Sequence, residues 1–426
     1  MSFLNWLTSL FKPKPPARNI SGLAGTDAIE VEEHVDLSGG PLKPKQLRLA
    51  TQDKRLLPKA KKAIDPRNWV PRKKPKIMPR EEADRRFSES LRTSNRKIST
   101  LASDVEQLER YGLPIWNSEA DIAAALEMST SQLRHFSIHR QRETSPHYVT
   151  FAIRKRTGGH RLIHAPKTRL KRIQRQLNEL LVSRLPVSDA AHGFRAQRSV
   201  ATNAEPHVGK QVVIKLDLAD CFPTIHYGRV RGMLISLGYS YEVAAVLSLL
   251  CTEAERQPVA ADGKTYFVPI GPRVCVQGAP TSPGLCNAVL LRMDRRLAGL
   301  AKKFDFQYTR YADDLTLSGD DASKAKVLIR LAKEIVQDEG FRLNSKKTRV
   351  VRHGQRQRVA GVVVNDQKGL SRTERRKLRA AIHQLDPADE KSARHLRGKV
   401  AYLAMLSEQQ AAPLRAALAV KLSGDA

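Results

Sequence analysis

Apolar positions along the chain keep two periods, and the places where each holds predict the elements. Leu101, Val105, Leu108 and Leu113 recur at helical spacing, and the pattern continues through 118–126 and 129–134, where Ser118 and Ser129 stand as N-caps before acidic or polar first turns. From Tyr148 to Pro166 the period changes: two β-prone stretches flank Thr157-Gly158-Gly159, which predicts a hairpin with basic residues on both arms. Residues 169–177 return to an amphipathic helix. Gln211 to Leu218 is apolar and β-branched and closes at Pro223, as a buried strand does, and 306–318 reads as a second hairpin. After Asn365 the chain is helical again, and Tyr402, Leu403 and Leu406 suit a helical core better than a binding surface. Residues 12–99 keep neither period. Proline and charge dominate there, as in Pro71-Arg72-Lys73-Lys74-Pro75-Lys76, a composition that stays disordered or orders only on a partner. Before it, Phe3, Leu4, Leu7, Leu10 and Phe11 fall on one helical face; the segment lacks a signal peptide's basic start and cleavage site and reads as a docking helix.

Charge narrows the partners. The chain carries 74 Lys and Arg against 43 Asp and Glu, a net charge of +31, far beyond what solubility requires. A polyanion is implied, because neutralising many phosphates gives strong, salt-dependent binding without sequence readout. Residues 41–100 concentrate the excess, with 19 Lys and Arg against 6 Asp and Glu. Such an arm is either a solvated linker or an RNA contact. No run approaches the roughly 20 apolar residues that span a bilayer. Cys221, Cys251, Cys275 and Cys286 show no C-x-x-C spacing and read as reduced thiols of a cytoplasmic protein with no membrane partner.

Chemistry enters at Tyr311-Ala312-Asp313-Asp314, where two adjacent carboxylates interrupt the predicted hairpin. Carboxylates at a strand turn are costly unless solvated or paired with cations. A bare Asp-Asp pair is ordinarily a solvated turn; here the buried strand upstream ends in Asp217, and hard divalent cations take one or two carboxylates plus substrate phosphates.

These pieces resemble the palm of a reverse transcriptase, in the family's order. Asp217-Leu218-Ala219-Asp220-Cys221-Phe222 resembles motif A and Gln277-Gly278-Ala279-Pro280-Thr281-Ser282-Pro283 motif B. Tyr311-Ala312-Asp313-Asp314 is similar to motif C, and 340–348 to motif D, with 359–365 where the last palm hairpin falls. Asn203-Ala204-Glu205-Pro206-His207 matches the NAxxH signature of retron enzymes, whereas Val359-Ala360-Gly361 departs from their Val-Thr-Gly by one hydroxyl.

The resemblance implies an α+β right-hand polymerase with an antiparallel palm. A basic extension (1–100) precedes N-terminal helices and fingers (101–210), palm (211–366) and helical thumb (367–426). Asp217, Asp313 and Asp314, with the Leu218 carbonyl, would hold two Mg²⁺ ions, Mn²⁺ being the alternative. Lys347, or else Lys346, would be the general acid toward pyrophosphate. Lys155 and Arg161 would meet the triphosphate, Phe222 would gate the ribose 2′-hydroxyl, and Gln277 and Gly278 would lie against sugar and template base. Asn203, His207, Arg172, Arg175 and Arg376 are candidates for RNA contact; Arg172 and Arg175 suit solvated helix positions equally well, and a lone Asn or His in a loop is more often a local turn or cap residue. The implied partners are a cognate structured non-coding RNA and its RNA–DNA product, deoxynucleotides and a retron effector protein. The implied activity is branched DNA synthesis primed from an RNA 2′-hydroxyl, in antiphage defence. A group II intron maturase, another bacterial reverse transcriptase and an RNA-binding scaffold with an inactive palm are the competing readings.

Overall fold

The computed structural model describes residues 102–138, 143–155, 158–261 and 263–423. The docking helix and the basic arm expected from the sequence lie outside the described residues. Contacts divide the molecule into two compact units, and the described residues of the first are 150–155 and 158–163. They carry most of the predicted hairpin, β1 (Tyr148–Arg154) and β2 (His160–Pro166). The chain reverses through Gly158 and Gly159, whose φ of +86° and +74° suit residues without a Cβ.

The second unit begins with α1 (Val105–Arg110), α2 (Glu119–Ala125) and α3 (Thr130–Ser137). The serines expected as caps perform that role. Ser118 exchanges bonds with Asp121, and Ser129 with Gln132, so each helix starts on a reciprocal capping box. The helix α4 (Thr168–Leu180) buries Leu170, Ile173, Gln174 and Leu177 and leaves Arg172 and Arg175 exposed. A short helix, α5 (Val200–Ala204), precedes β3 (Val212–Asp217).

The sheet that carries the carboxylates has the order β6-β7-β3-β8 and is antiparallel throughout, from β6 (Phe306–Tyr311), β7 (Asp314–Gly319) and β8 (Arg349–Arg352). Its central strand is buried on both faces, as its unbroken apolar run implies. Val212, Ile214 and Leu216 point into the main core, which also holds Leu285 of α9 (Ser282–Val289), Leu297 of α10 (Leu291–Lys303) and Leu328 of α11 (Ala325–Asp338). Val213, on the other face, joins Val200, Ala204, Val359, Val362 and Leu406. Helices α6 (Cys221–Thr224), α7 (Tyr227–Ser236) and α8 (Tyr241–Cys251) follow β3, and a further hairpin, β4 (Arg256–Ala261) with β5 (Lys264–Pro269), precedes α9.

The last hairpin joins β9 (Arg358–Val359) to β10 (Val362–Val363) through Ala360 and Gly361, at φ +46° and +91°. Positive φ at both central residues marks a type I′ turn, which places Ala360, the departure from Val-Thr-Gly, in a strained conformation. Helices α12 (Arg372–His383), α13 (Glu390–Leu406) and α14 (Glu408–Ser423) enclose an apolar cluster of their own, with Leu378, Ile382, Leu396, Leu403 and Leu414. Leu403 belongs to that helical core, as expected. Leu406 and Tyr402 instead pack with Val359 and Val362. All four cysteines are buried free thiols, and no described helix is long and apolar enough to cross a membrane.

Candidate active site

Antiparallel register assembles the carboxylates. β3 pairs with β7 so that Asp217 lies opposite Asp314, and β6 pairs with β7 so that Tyr311 faces Asp314 across the turn Ala312-Asp313. Ala312 enters that turn at φ +59°, a conformation that favours glycine and costs an alanine about 1–2 kcal/mol. The Leu218 N–H donates to the Asp313 carbonyl at 2.9 Å, which ties the end of β3 to the turn. On the opposite side the Asn344 N–H donates to the Asp217 carbonyl at 2.7 Å and the Ala219 N–H to the Arg342 carbonyl at 2.8 Å. The Leu218 carbonyl takes no part in that second bridge.

The same stitching delivers Lys347, whose Nζ stands 2.7 Å from Asp217 Oδ1. Burial works against its charge, but the bond to Asp217 and the charges of Asp217, Asp313 and Asp314 outweigh it and raise the ammonium's pKa. Asp314 moves the opposite way. Burial first, then the neighbouring Asp313 and Asp217, push its carboxyl up to about 6 against the pull of Lys215 and Lys347. Among the described residues no three His, Cys, Asp or Glu side chains stand close enough to close a cage around an ion. The donor set still fits a hard cation. It is all oxygen, burial and then the neighbouring carboxylates raise the Asp314 carboxyl in a way that a bound cation would relieve, and such ions complete their shells with substrate phosphates and water.

The other candidate residues lie on several different elements. Phe222 lies on α6, half-buried against the main core. The Gln277 carbonyl accepts the His164 N–H at 2.8 Å, and Gly278, exposed, holds φ +116° as only glycine readily does. Lys155 and Arg161 are exposed on their hairpin, Arg376 on α12, and Arg175 on α4. Arg172 stands 3.7 Å from Glu127, both well exposed, a pairing of little energetic weight.

The structure corrects the expected RNA contacts of Asn203 and His207. Asn203 is 1% exposed and His207 0%, so neither has surface to offer a nucleic acid. His207 Nδ1 meets Ser318 Oγ at 2.6 Å and its Nε2 meets Thr309 Oγ1 at 2.8 Å, while Thr309 Oγ1 also donates to the Asn203 carbonyl. The histidine thus bridges β6 and β7 from behind the carboxylates. Burial, with a smaller contribution from His192, pushes its ring down to about 3 and keeps it neutral.

Two cations escaped the sequence reading. Lys215 lies on β3 two residues from Asp217, hence on the same face, and acts on Asp314. Arg310, on β6, is fully buried against the equally buried Asp294 of α10. An arginine at an inward position of a β run was the available signal, since a buried charge requires a partner; Asp294 itself carried none.

Comparison with known proteins places this geometry. The family model described as reverse transcriptase (RNA-dependent DNA polymerase) matches residues 153–364. The chain is 54% identical over 416 residues to the retron Mx65 reverse transcriptase of Myxococcus xanthus, covering 96% of each chain. It is 45% identical over 320 residues to the retron Mx162 reverse transcriptase of the same organism, covering 70% of this chain and 66% of the relative. The retron Ec86 reverse transcriptase of Escherichia coli is 29% identical over 300 residues, 70% of this chain and 87% of that one. Among solved structures, a Candida albicans telomerase aligns at TM-score 0.40 and 13% identity, over 69% of this chain and 63% of that one. The matched region spans the sheet, the paired aspartates and Lys347, and the identity to the Mx65 enzyme extends over nearly the whole of both chains. This chain belongs to the retron reverse transcriptases and is an RNA-directed DNA polymerase.

Proposed function

We propose that the protein copies part of a cognate structured non-coding RNA into branched single-stranded DNA, starting from an RNA 2′-hydroxyl, and that this synthesis serves antiphage defence. The observation that carries the catalytic part is the register that sets Asp217 opposite Asp314, with Asp313 on the adjoining turn and Lys347 on the same carboxylate. Magnesium at these residues, two ions by the family's pattern with manganese the alternative, supplies charge neutralisation at the triphosphate and activation of the priming hydroxyl.

The chain's own residues do the rest. Asp217, Asp313, Asp314 and the Leu218 carbonyl offer the oxygen ligands. Lys347, which meets Asp217 at 2.7 Å, would hold its proton at Nζ for the departing pyrophosphate. Lys155 and Arg161 receive the triphosphate of the incoming deoxynucleotide, the guanidinium as a fork and the ammonium as a point charge. Phe222 blocks a ribose 2′-hydroxyl, Gln277 and Gly278 pack against sugar and template base, and Arg172, Arg175 and Arg376 meet RNA phosphates. The segments 101–210, 211–366 and 367–426 act as fingers, palm and thumb. A retron effector protein is a further partner consistent with the family.

Purifying the expressed protein and sequencing its bound nucleic acid tests this reading. A short branched DNA is expected with the wild type and is lost with Asp313→Asn. Recovery of bulk RNA alone, or branched DNA that persists in the variant, overturns it.

A further inference from the structure

The proposed chemistry needs Asp313 and Asp314 held on a turn whose first residue is strained, and among the ligands assigned above only Leu218, through its N–H to the Asp313 carbonyl, helps to hold it. We propose that Arg310 is a positioning residue for this turn, the hub through which helix α9 and the 190–193 loop fix where the two aspartates stand. The inference rests on the reading of Asp217, Asp313 and Asp314 as the ion-binding carboxylates.

Arg310 spends its guanidinium in two directions. Toward Asp294 it is bidentate, Nε to Oδ1 at 2.9 Å and the second terminal nitrogen to Oδ2 at 2.7 Å, and Tyr308 adds its hydroxyl to the same carboxylate at 2.8 Å. The other terminal nitrogen donates at 2.9 Å to Asn287 Oδ1, and at 2.9 Å to the carbonyl of Ala312, the residue immediately before Asp313. Asn287, on α9, passes the link on: its Nδ2 donates to the Gly193 carbonyl at 2.8 Å. The loop returns it to the backbone of β6, where the Arg310 N–H donates to the Ala190 carbonyl at 2.7 Å and the Arg310 carbonyl accepts the His192 N–H at 2.8 Å. Contact closes the ring, because a Cβ on Gly193 would stand 2.7 Å from the Ala312 nitrogen.

A purely structural ion pair would end at Asp294. Buried pairs of that kind often add little net stability. What distinguishes Arg310 is the bond to the turn's own carbonyl, made by a rigid fork that lysine cannot reproduce. Motif B leads directly into α9, so the helix that follows Gln277 and Gly278 and the turn that carries Asp313 share one hydrogen-bonded hub.

The test uses the full-length protein and three variants, Gly193→Ala, Asn287→Ala and Arg310→Lys. Gly193→Ala leaves every side chain of the network in place and presses directly on Ala312. Thermal midpoint, Mn²⁺ binding followed by electron paramagnetic resonance, and kcat and KM for single-nucleotide extension are measured for each. Gly193→Ala and Asn287→Ala are expected to fold, to bind Mn²⁺ several-fold more weakly and to keep the nucleotide KM within about twofold while kcat falls about tenfold to a hundredfold, as misplacement on the scale of an ångström does. Unchanged kcat and Mn²⁺ binding in those two folded variants overturns the proposal, as does activity lost only in proportion to the folded fraction. If Arg310→Lys does not fold, the other two variants decide. Asp313→Asn is measured in parallel: full Mn²⁺ binding there defeats the carboxylate reading itself, a result distinct from failure of the positioning role.

Discussion

His207 shows how far one residue's surroundings can change its meaning. In the sequence it is the last letter of a signature; in the fold it is a neutral imidazole enclosed by two hydroxyls of the β6–β7 hairpin. Its ring titrates near 3 in the folded protein against an ordinary 6.5. The unfolded chain therefore gains a proton below about 6.5 that the folded chain refuses until about 3. Its contribution to stability is complete above that window and declines as the pH falls through it, by up to about 1.4 kcal/mol per unit. His192, pushed down to about 4 by burial and then by Arg198 and Arg195, acts with the same sign. The wild type is expected to melt lower at pH 5 than at pH 7, and His207→Gln to show a shallower fall over the same interval. Equal falls in the two proteins would remove His207 from this account. The reason the sequence could not show this is physical: the histidine's partners lie 102 and 111 residues away and exist only once β6 and β7 have paired.

Elements were more legible than their contents. β-Prone runs gave both hairpins, a continuous apolar run gave the buried strand, and the two serine caps gave the starts of α2 and α3, because these signals are local. The β4–β5 hairpin was not anticipated; its first arm, Arg256-Gln257-Pro258-Val259-Ala260-Ala261, carries one β-branched residue and a proline. The three candidate aspartates stood out because charge at a β turn or at the end of an apolar strand is conspicuous, whereas the Asp294 partner of Arg310 sits in a helix among other charges. On the β1–β2 hairpin, Arg161 is exposed, so its removal should leave folding alone. Arg161→Ala is expected to raise the KM for the deoxynucleotide about tenfold, a loss of roughly 1.4 kcal/mol, close to the lower end of the range for a charge-assisted hydrogen bond, with an unchanged thermal midpoint. Steady-state extension against nucleotide concentration reads this directly, and an unaltered KM would take Arg161 out of the nucleotide site.

At the scale of the whole molecule, a net charge of +31 sets the terms on which RNA is met. Binding of the cognate RNA is expected to weaken steeply with salt, with a log–log slope near 0.9 or 0.7 per phosphate neutralised for duplex or single strand. A chain shortened to begin at residue 102 loses the 41–100 arm, and its slope should be measurably smaller while extension of a generic primer and template survives. A slope unchanged by the truncation would make the arm a linker. The burial of Asn203 and His207 has a practical bearing on engineering. Swapping the signature between two such enzymes, in the hope of exchanging their RNA preferences, would repack the back of the catalytic hairpin and leave the solvent-facing chemistry as it was. Orthogonal enzyme and RNA pairs are better sought by exchanging exposed cations such as Arg172, Arg175 and Arg376, where a substitution alters what the solvent, and hence an RNA, encounters.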